Sequence, residues 1–334
     1  MTQTEDTTPR AYAFLLIPGF STLGLSCALD CLSLANHHPS GRQFYKWRLI
    51  SEDGGPVTSY NGVRIEADEA LPELDRQETL VVCAGERAGE GSTKTILNWL
   101  RRQTRKGMDF GALSSGTYTL ALAGLIGGKR VTTHWEYKTA LGEMLPDVIM
   151  EDTLYSVDGR VFTTAGGAAS MDLMLYRVRE DYGTEMATWV ADQMVYTVPR
   201  THSQGQRMSL QSRPEVRNPK LLLALQIMEN NLEDPLRPDE ISSVVNLSTR
   251  QLERLFARYL NTSPKRYYLH LRLEKARNLL RQTDLSVTDV CVACGFQSLS
   301  HFSKSYRAAY GNPPGMEASD GKVLWSDLEN GRKP

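Results

Sequence analysis

The feature that most constrains this chain is a repeat near its C-terminus, where similar sequence recurs after about 50 residues. Four positions match at an offset of 50: Leu252 with Phe302, Phe256 with Tyr306, Leu260 with Tyr310, and Pro264 with Pro314. Upstream of these, Leu247 matches Phe296 at an offset of 49, so the second copy has one extra residue between the two matches. Such a repeat indicates a duplicated supersecondary unit, and two short helices joined by a sharp turn fit its length.

Each copy carries the local signals of a helix-turn-helix unit. Asn246 occupies the sharp turn of the first copy, where a short polar side chain tolerates left-handed backbone, and Gly295 occupies the matching place in the second. Several side chains suited to accept backbone N–H groups stand at the predicted helix starts: Ser248 with Gln251, Ser286 with Asp289, and Ser298. Apolar residues at helical spacing then predict one buried face for each unit.

The polar face of each second helix has the chemistry needed to read a DNA major groove. Eight residues are predicted to contact DNA: Arg250, Gln251 and Arg254 in the first unit, and Gln297, Ser298, Ser300, His301 and Lys304 in the second. Arg and Lys donate to guanine, Gln pairs with adenine, and Ser or His serves bases or phosphates. The alternative is an ordinary solvated helix face, but two units with turns in register disfavour it. A long helix after Pro264 would space the units for successive major grooves, about 34 Å apart.

Residues 219–316 resemble the AraC-type DNA-binding domain. The most similar runs are 252–256, 295–296, 301–306 and 311–314, with Tyr306 where Phe is usual and Met316 after Gly315. The resemblance implies an all-α domain in which a helix joins two helix-turn-helix units. It also places seven residues on base-reading positions: Arg250, Gln251, Arg254, Gln297, Ser300, His301 and Lys304.

The 334-residue chain is long enough for two domains. A proline-rich and arginine-rich stretch, 197–218, is predicted to link a sensing domain, 10–196, to the helical domain, 219–316, with a polar tail at 317–334. Residues 196–316 hold 17 basic and 10 acidic residues, whereas residues 1–195 hold 18 basic and 25 acidic residues. A basic module supplies phosphate affinity, so this division supports an acidic sensor coupled to a DNA-binding module.

The N-terminal domain is predicted to be α/β, with a mostly parallel, flavodoxin-like sheet. Apolar runs at 11–17, 80–83 and 110–113 are typical of buried strands, and a helix is predicted over 22–36. Alternation of strands and helices favours this class. Folds of this class bind small molecules at the carboxyl ends of their strands.

The turn after the strand 110–113 is the sharpest feature of this domain. Ser114-Ser115-Gly116 predicts a nucleophile-elbow geometry, in which backbone N–H groups at a helix start point at a bound molecule. Together with 123–125, 128–130 and 133–136, this turn resembles the class I glutamine amidotransferase/PfpI-like domain, in the version fused to AraC-type modules. Catalytic relatives have Cys at the elbow, and this chain has Ser114, with His134 at the position of the family histidine. The prediction is a binding domain without catalytic residues; the alternative is a hydrolase or amidase that uses Ser114 and His134.

A further resemblance concerns the ligand. The chain resembles the subgroup of these regulators that sense arginine, glycine betaine or carnitine. The resemblance lies in Asp30 on the first helix and in residues 53–57, 134–136 and 164–167. Six ligand-binding residues are predicted: Asp30, Ser114, Ser115, His134, Trp135 and Glu136. Asp30 would attract a cation and Trp135 would face it through its ring. The alternatives are a solvated Asp30, a core Trp135, and a Glu136 that stabilises a helix N-terminus.

The predicted function is ligand-controlled, sequence-specific transcriptional regulation, with activation favoured over repression. Its expected partners are promoter DNA, a small amino acid or quaternary amine, a second copy of the chain, and RNA polymerase if it activates. No cofactor or metal site is predicted, because Cys291 and Cys294 lack a second pair and are expected in a core, like Cys27 and Cys31. Without a visible signal peptide or an apolar run near ~18 residues, a cytoplasmic, nucleoid-associated protein is expected. A DNA-binding architectural protein without a ligand is a further alternative.

Overall fold

The computed structural model describes residues 8–85, 88–145, 147–197, 199–200, 206, 218–283 and 285–317. The chain divides into two compact units, Met1–Gln206 and Arg207–Pro334, and the division falls inside the predicted linker. Among the described residues, none of the helices combines the length and the apolar character required to cross a membrane.

The first unit is built on a seven-stranded sheet with the order β10-β11-β7-β6-β1-β2-β5. All neighbouring strands in this sheet run parallel except β10 and β11. Two small two-stranded sheets, β3-β4 and β8-β9, accompany it. The strands are β1 (Arg10–Leu16), β2 (Tyr45–Ser51), β3 (Val57–Thr58), β4 (Arg64–Ile65), β5 (Glu69–Ala70), β6 (Thr79–Cys83), β7 (Phe110–Leu113), β8 (Arg130–Val131), β9 (Ile149–Met150), β10 (Tyr155–Asp158) and β11 (Val161–Thr164). The predicted flavodoxin-like, mostly parallel sheet is confirmed.

Helices cover both faces of this sheet. They are α1 (Thr22–Asn36), α2 (Ala88–Gly91), α3 (Lys94–Thr104), α4 (Gly116–Leu122), α5 (Trp135–Met144) and α6 (Ala169–Gln193), the last interrupted by non-helical backbone at Gly183. Phe14 packs with α1 and α6 on one face, whereas its neighbour Leu15 packs with α3 and α4 on the other. Because strand side chains alternate between faces, a strand that is buried on both sides has to be apolar throughout.

The second unit contains only helices among its described residues. They are α7 (Pro219–Asn230), α8 (Pro238–Val244), α9 (Thr249–Leu260), α10 (Pro264–Gln282), α11 (Val287–Ala293) and α12 (Leu299–Tyr310). The pairs α8–α9 and α11–α12 are the two predicted helix-turn-helix units. The 19 residues of α10 make one helix of about 28 Å between them. Cys291 and Cys294 are buried thiols in the second pair, as expected, and Cys27 and Cys31 are buried in α1.

The structure shows contacts to folded elements in two segments that were predicted to be a polar tail and a linker. The predicted tail began at 317, but the Glu317 carboxylate accepts hydrogen bonds from Arg277 at 2.7 Å and Arg281 at 3.1 Å, which ties it to α10. The rest of that tail, 318–334, lies outside the described residues. Within the predicted linker, Arg200 and Gln206 are bonded to the first unit. Polar composition therefore marked a connecting stretch, but it did not reveal that part of the stretch is bonded to a folded unit.

Candidate functional site

The turn of the first helix-turn-helix unit is held by local contacts. Asn246 has a φ of 52°, and the N–H of Leu247 donates to the Ser242 carbonyl at 2.9 Å. An exposed lysine, Lys220 from α7, donates to the Asn246 carbonyl at 2.8 Å. A short polar side chain at this position matches the left-handed backbone, as the sequence predicted.

The matching turn of the second unit is more tightly enclosed. Gly295 has a φ of 70°, and a Cβ atom at this residue would lie 2.6 Å from the Glu233 carbonyl oxygen and 2.8 Å from that of Leu232. Arg272 of α10 donates to the carbonyls of Cys294 and Gly295, both at 2.8 Å, and its guanidinium lies 4.0 Å from the Phe296 ring centroid. Only glycine fits here without displacing backbone.

The eight predicted DNA-contacting residues are all exposed on the helical unit, Arg207–Pro334. Behind them, Leu252 and Phe256 of α9 and Phe302 and Tyr306 of α12 are fully buried, so each helix is fixed by its apolar face. The side chains of five of the eight make no hydrogen bond or ion pair with any described residue: Arg250, Arg254, Gln297, Ser300 and Lys304. Their donor groups are therefore available to a nucleic acid.

Three of the eight residues also have structural contacts. Gln251 Oε1 accepts from the Ser248 N–H at 2.9 Å, which closes the predicted capping box of α9. Ser298 Oγ accepts from the His301 N–H at 3.2 Å at the start of α12, and the His301 ring lies 5.8 Å from that of Phe296. A Gln uses both its oxygen and its nitrogen to pair with adenine, so capping competes with base reading at Gln251.

The predicted elbow is present at the end of β7. Ser114 has a φ of 57°, and its N–H donates to the Thr164 carbonyl at 3.0 Å. The Ser114 carbonyl accepts from Thr133 Oγ1 at 3.1 Å. Gly166 packs so closely that its Cβ, if present, would lie 2.4 Å from that of Ser114. A left-handed, non-glycine residue that neighbouring loops hold in place is typical of functional turns.

Starts of neighbouring helices form the rim of this elbow. Ser115 stands at the N-cap of α4 and uses its hydroxyl to donate to the Gly85 carbonyl. In the first turn of α1, a Cβ on Gly24 would lie 3.7 Å from the Gly167 N and 3.3 Å from Ser170 Oγ at the start of α6. Because helix N-termini carry partial positive charge, this edge of the sheet favours an anionic group such as a carboxylate.

His134, Trp135 and Glu136 lie together at the start of α5. The His134 Nδ1 atom is 3.6 Å from a Glu136 carboxylate oxygen, and its ring is 5.3 Å from the Trp135 ring. Burial lowers the pKa of His134, which favours its neutral form. Trp135 is 37% exposed, so it is not the core aromatic that was one alternative. In the described part of the chain, no hydrogen bond joins Ser114 to His134, so the two do not form an activated nucleophile–base pair.

Asp30 stands apart from these residues. It is an exposed residue in the middle of α1. The first turn of the same helix, at Gly24, is the part that meets Gly167 and Ser170. Gly24 and Asp30 are six positions apart in the helix, a distance of about 9 Å along the axis. A ligand-binding role for Asp30 therefore requires a ligand that reaches from the elbow along α1.

Sequence reasoning missed a group of residues beside the elbow that belong to the end of the first unit. The Asp172 side chain in the first turn of α6 is fully buried and bonded to Tyr196 and Arg200. Gln206 donates to Thr132 and Thr133, which follow β8, and to Thr153, which follows β9; the bond to the Thr133 carbonyl is 2.8 Å long. No local pattern marks such contacts, since they join residues that are 24 to 74 positions apart.

A cleft of about 1150 Å³ opens at the opposite, amino edge of the sheet. Three of its acids are paired with arginines: Asp181 with Arg10 at 3.2 Å, Glu78 with Arg48 at 2.7 Å, and Asp109 with Arg177 at 3.1 Å. Burial raises the pKa of Asp181. The cleft is therefore lined by an ion-pair network, and it lies away from the carboxyl ends of the strands, where α/β sheets bind ligands.

Comparison with known families covers both units. Residues 5–180 match the DJ-1/PfpI family, and residues 241–317 match the family described as Helix-turn-helix domain.

Three transcriptional regulators align with more than nine-tenths of this chain. The HTH-type transcriptional regulator CdhR of Pseudomonas aeruginosa is 41% identical over 304 residues, which cover 91% of this chain and 90% of that protein. The regulators GbdR and ArgR of Pseudomonas aeruginosa are 38% and 37% identical. Those alignments cover 93% and 92% of this chain, and 84% and 92% of the two proteins.

Two solved structures resemble parts of the chain. The crystal structure of an AraC family transcriptional regulator from Pseudomonas putida superposes with a TM-score of 0.50 at 29% identity, covering 56% of this chain and all of the other. A ThiJ/PfpI family protein from Pseudomonas syringae has a TM-score of 0.51 at 20% identity, with 63% and 85% covered, and indicates the fold alone.

Proposed function

The chain belongs to the AraC-type, HTH-type transcriptional regulators with an N-terminal DJ-1/PfpI domain, and from this membership we propose its specific function. It is a sequence-specific regulator whose effector is a small amino acid or quaternary amine, such as arginine, glycine betaine or carnitine, bound at the Ser114 elbow without catalysis. It activates genes for catabolism of that compound, acts as a homodimer and engages RNA polymerase at the promoter.

One observation carries the DNA-reading part of this proposal. Two helix-turn-helix units of the same design expose donor side chains that have no partner among the described residues, Arg250 and Arg254 on α9 and Lys304 on α12. Arg and Lys at such positions donate to guanine O6 and N7. Gln297 and Ser300 add neutral groups to the second helix-turn-helix unit, so the two helix-turn-helix units are suited to different half-sites.

The effector part rests on the chemistry around the elbow. Helix starts at Ser115 and Ser170 favour a carboxylate, and the exposed Trp135 beside Glu136 offers a π face and an acid to a cationic group. A zwitterion such as arginine or glycine betaine matches both. Regulation then requires that the effector bind one state of the protein more tightly than the other.

A hydrolase or amidase that uses Ser114 and His134 is the second candidate, because the left-handed Ser114 is an elbow residue. The missing Ser114–His134 hydrogen bond and the absence of a thiol at the elbow weigh against it. The variant Ser114→Ala separates the two functions. If transcriptional response to the effector survives in Ser114→Ala, hydroxyl chemistry is not required; if response and an amidase activity disappear together, the enzyme candidate replaces the regulator.

Selection of genomic DNA tests the proposed function directly. Purified protein is mixed with genomic fragments at ~0.15 M salt, where non-specific phosphate binding is weak. The expected result is enrichment of one or a few promoters by the wild type, and loss of that enrichment in the Arg254→Ala, Lys304→Ala double variant. Arginine, glycine betaine and carnitine are then tested for an effect on affinity for those promoters. No enrichment in any condition would contradict the proposal.

A further inference from the structure

Two sets of side-chain hydrogen bonds attach the chain between α6 and the helical unit to the first unit: one at Asp172 on α6, the other at Thr133, whose hydroxyl bonds to Ser114. The first, which we call the anchor, is the contact of Arg200 with Asp172. The second, the clasp, is the contact of Gln206 with Thr132, Thr133 and Thr153. Both belong to the compact unit Met1–Gln206.

The anchor is a strong attachment. The Asp172 carboxylate is fully buried and accepts from Arg200 Nη2 at 2.7 Å, from Arg200 Nε at 3.0 Å and from the Arg200 backbone N–H at 2.8 Å. The Tyr196 hydroxyl donates to the same carboxylate at 2.8 Å. Both guanidinium donors reach the same oxygen, Oδ2. Charge-assisted bonds of this kind are among the stronger hydrogen bonds in proteins, and a buried carboxylate without them would be costly.

The clasp is weaker because it depends on one neutral amide. Gln206 Nε2 lies 2.8 Å from the Thr133 carbonyl, 3.0 Å from the Thr153 carbonyl and 2.9 Å from Thr132 Oγ1. Two carbonyl acceptors require the NH₂ group at this place, so the amide orientation is settled. The opposite atom, Gln206 Oε1, is buried and has no hydrogen-bond partner among the described residues, which offsets part of the stabilisation.

The shortest connection from the clasp to the elbow runs through Thr133. Thr133 is fully buried; its carbonyl receives Gln206, and its hydroxyl donates to the Ser114 carbonyl at 3.1 Å. The anchor residue Asp172 lies in the first turn of α6, which starts three residues after the Gly166 that packs directly against Ser114. A molecule bound at Ser114 therefore lies two hydrogen bonds from the chain that leads to the second unit.

We propose that Gln206 is the releasable contact through which occupancy of the elbow controls the chain leading to the DNA-binding unit. The anchor keeps Arg200 in place in both states, and the clasp is closed in one state and open in the other. An effector that changes the position of the Ser114–Thr133 pair binds these two states with different affinity, which is what coupling requires. This inference rests on the proposed function for its effector and its DNA output.

Proteolysis of the full chain tests the clasp without an effector. Trypsin cleaves after Arg200 and after Arg207, the residue that follows Gln206 in the sequence. The variant Gln206→Glu keeps the size of the side chain and sets a carboxylate against two carbonyls. We expect cleavage after Arg207 to accelerate by about tenfold in this variant, the factor for the loss of about one hydrogen bond. Cleavage after Arg200 should stay slow because the anchor is intact.

The matched control is Gln77→Glu, an exposed glutamine with the same change of charge at the opposite edge of the sheet. Its cleavage pattern should equal that of the wild type. Equal rates after Arg207 in the wild type and in Gln206→Glu would overturn the clasp. This outcome does not depend on DNA or on any effector, so it is separate from failure of the proposed function.

The DNA output is tested on the promoter selected by the wild type, with L-arginine, glycine betaine or carnitine added. We expect one of these probes to change the affinity of the wild type and of Gln77→Glu, whereas Gln206→Glu should have the same affinity with and without the probe. If Gln206→Glu responds like the wild type, the inference is wrong and the proposed function stands. If the wild type selects a promoter but responds to no probe, both the effector and its coupling are rejected.

Thr133→Val tests the path from the elbow. This variant keeps the backbone carbonyl that receives Gln206 and removes the hydroxyl that bonds to Ser114, at nearly constant volume. We expect cleavage after Arg207 to stay slow, while the half-maximal concentration of the active probe shifts by about tenfold, equivalent to about 1.4 kcal/mol of coupling. An unchanged response in Thr133→Val would overturn the route through Thr133.

Discussion

The two helix-turn-helix units share one design but are stabilised by different contacts at the turn. In the first, Asn246 adopts left-handed backbone and an exposed Lys220 holds its carbonyl. In the second, Gly295 lies against the backbone of Glu233, and the half-buried Arg272 clamps the turn from α10. The extra residue that the sequence shows in the second copy lies between this turn and α12, since five residues separate α11 from α12 and four separate α8 from α9.

This difference shows that repetition of a motif preserves the backbone path and not the contacts that stabilise it. The first turn borders solvent, so a polar residue and a surface lysine suffice. The second turn packs against α10 and against the loop before α8. It therefore requires glycine at 295, and it is held by the Arg272 guanidinium, whose pKa is lowered by burial. The turn of the second helix-turn-helix unit consequently depends more on buried contacts from elsewhere in its domain than the turn of the first.

Exchange of the turn residues has the largest expected effect. Gly295→Asn places a Cβ within 3.0 Å of two carbonyl oxygens, and we expect it to destabilise the second helix-turn-helix unit by about 3 kcal/mol. Asn246→Gly, the reverse change, should cost less than about 1 kcal/mol, because glycine adopts the same φ freely. Thermal unfolding followed by helical circular dichroism distinguishes them. Similar losses in both variants would mean that the turns are equivalent.

Removal of the two clamping cations is the next comparison. Arg272→Ala loses two charge-assisted hydrogen bonds and the contact with Phe296, and we expect a loss of about 2–3 kcal/mol of stability. Lys220→Ala removes one exposed bond and should change stability by less than about 0.5 kcal/mol. Denaturant titration of both full-length variants measures the contrast, and a large effect of Lys220→Ala would contradict it.

The DNA-reading surfaces give a third comparison. Arg254→Ala should lose about 1–3 kcal/mol of discrimination at one base pair in the half-site of the first unit, and Lys304→Ala should do so in that of the second. Competition binding with single-base variants of the selected promoter measures each loss. A uniform loss over all sequences would assign that residue to a phosphate contact.

Two serines in the second helix-turn-helix unit provide the smallest expected difference in stability. Ser298 caps α12 through the His301 N–H, so Ser298→Ala should cost about 1 kcal/mol of stability. Ser300, two residues on, is exposed and has no partner among the described residues, so Ser300→Ala should change stability by less than about 0.5 kcal/mol. Thermal unfolding of the pair tests this, and equal losses would argue against capping by Ser298.

Much of the fold was predictable because its signals are local. The caps Ser248 and Ser286, the turn residues Asn246 and Gly295, and the apolar spacing of α9 and α12 each act within a few residues, so the sequence predicts both units and their boundaries closely. Buried apolar runs such as 80–83 likewise predicted the parallel sheet. The elbow at Ser114 followed from a strand, a small-residue turn and a helix in succession.

The site was less predictable, because side chains there have more than one possible partner. Gln251 was expected to read bases, but the capping box that the same sequence predicts occupies its oxygen. Asp30 was expected at a pocket mouth, and only the path of α1 shows that Gly24, not Asp30, lies beside Gly167, the residue after the Gly166 that packs on Ser114. The roles of the predicted DNA and ligand residues stay predictions until the variants above are measured.

The amino-acid sequence alone determined that the chain has an α/β unit with an elbow and a helical unit with two helix-turn-helix motifs, because periodicity, capping and turn chemistry are short-range properties. Tertiary structure alone decided which turn requires glycine, which polar groups are already bonded, and where Arg200 and Gln206 attach. These contacts join residues far apart in the chain, and their energies depend on distance and burial, which no local pattern of residues encodes.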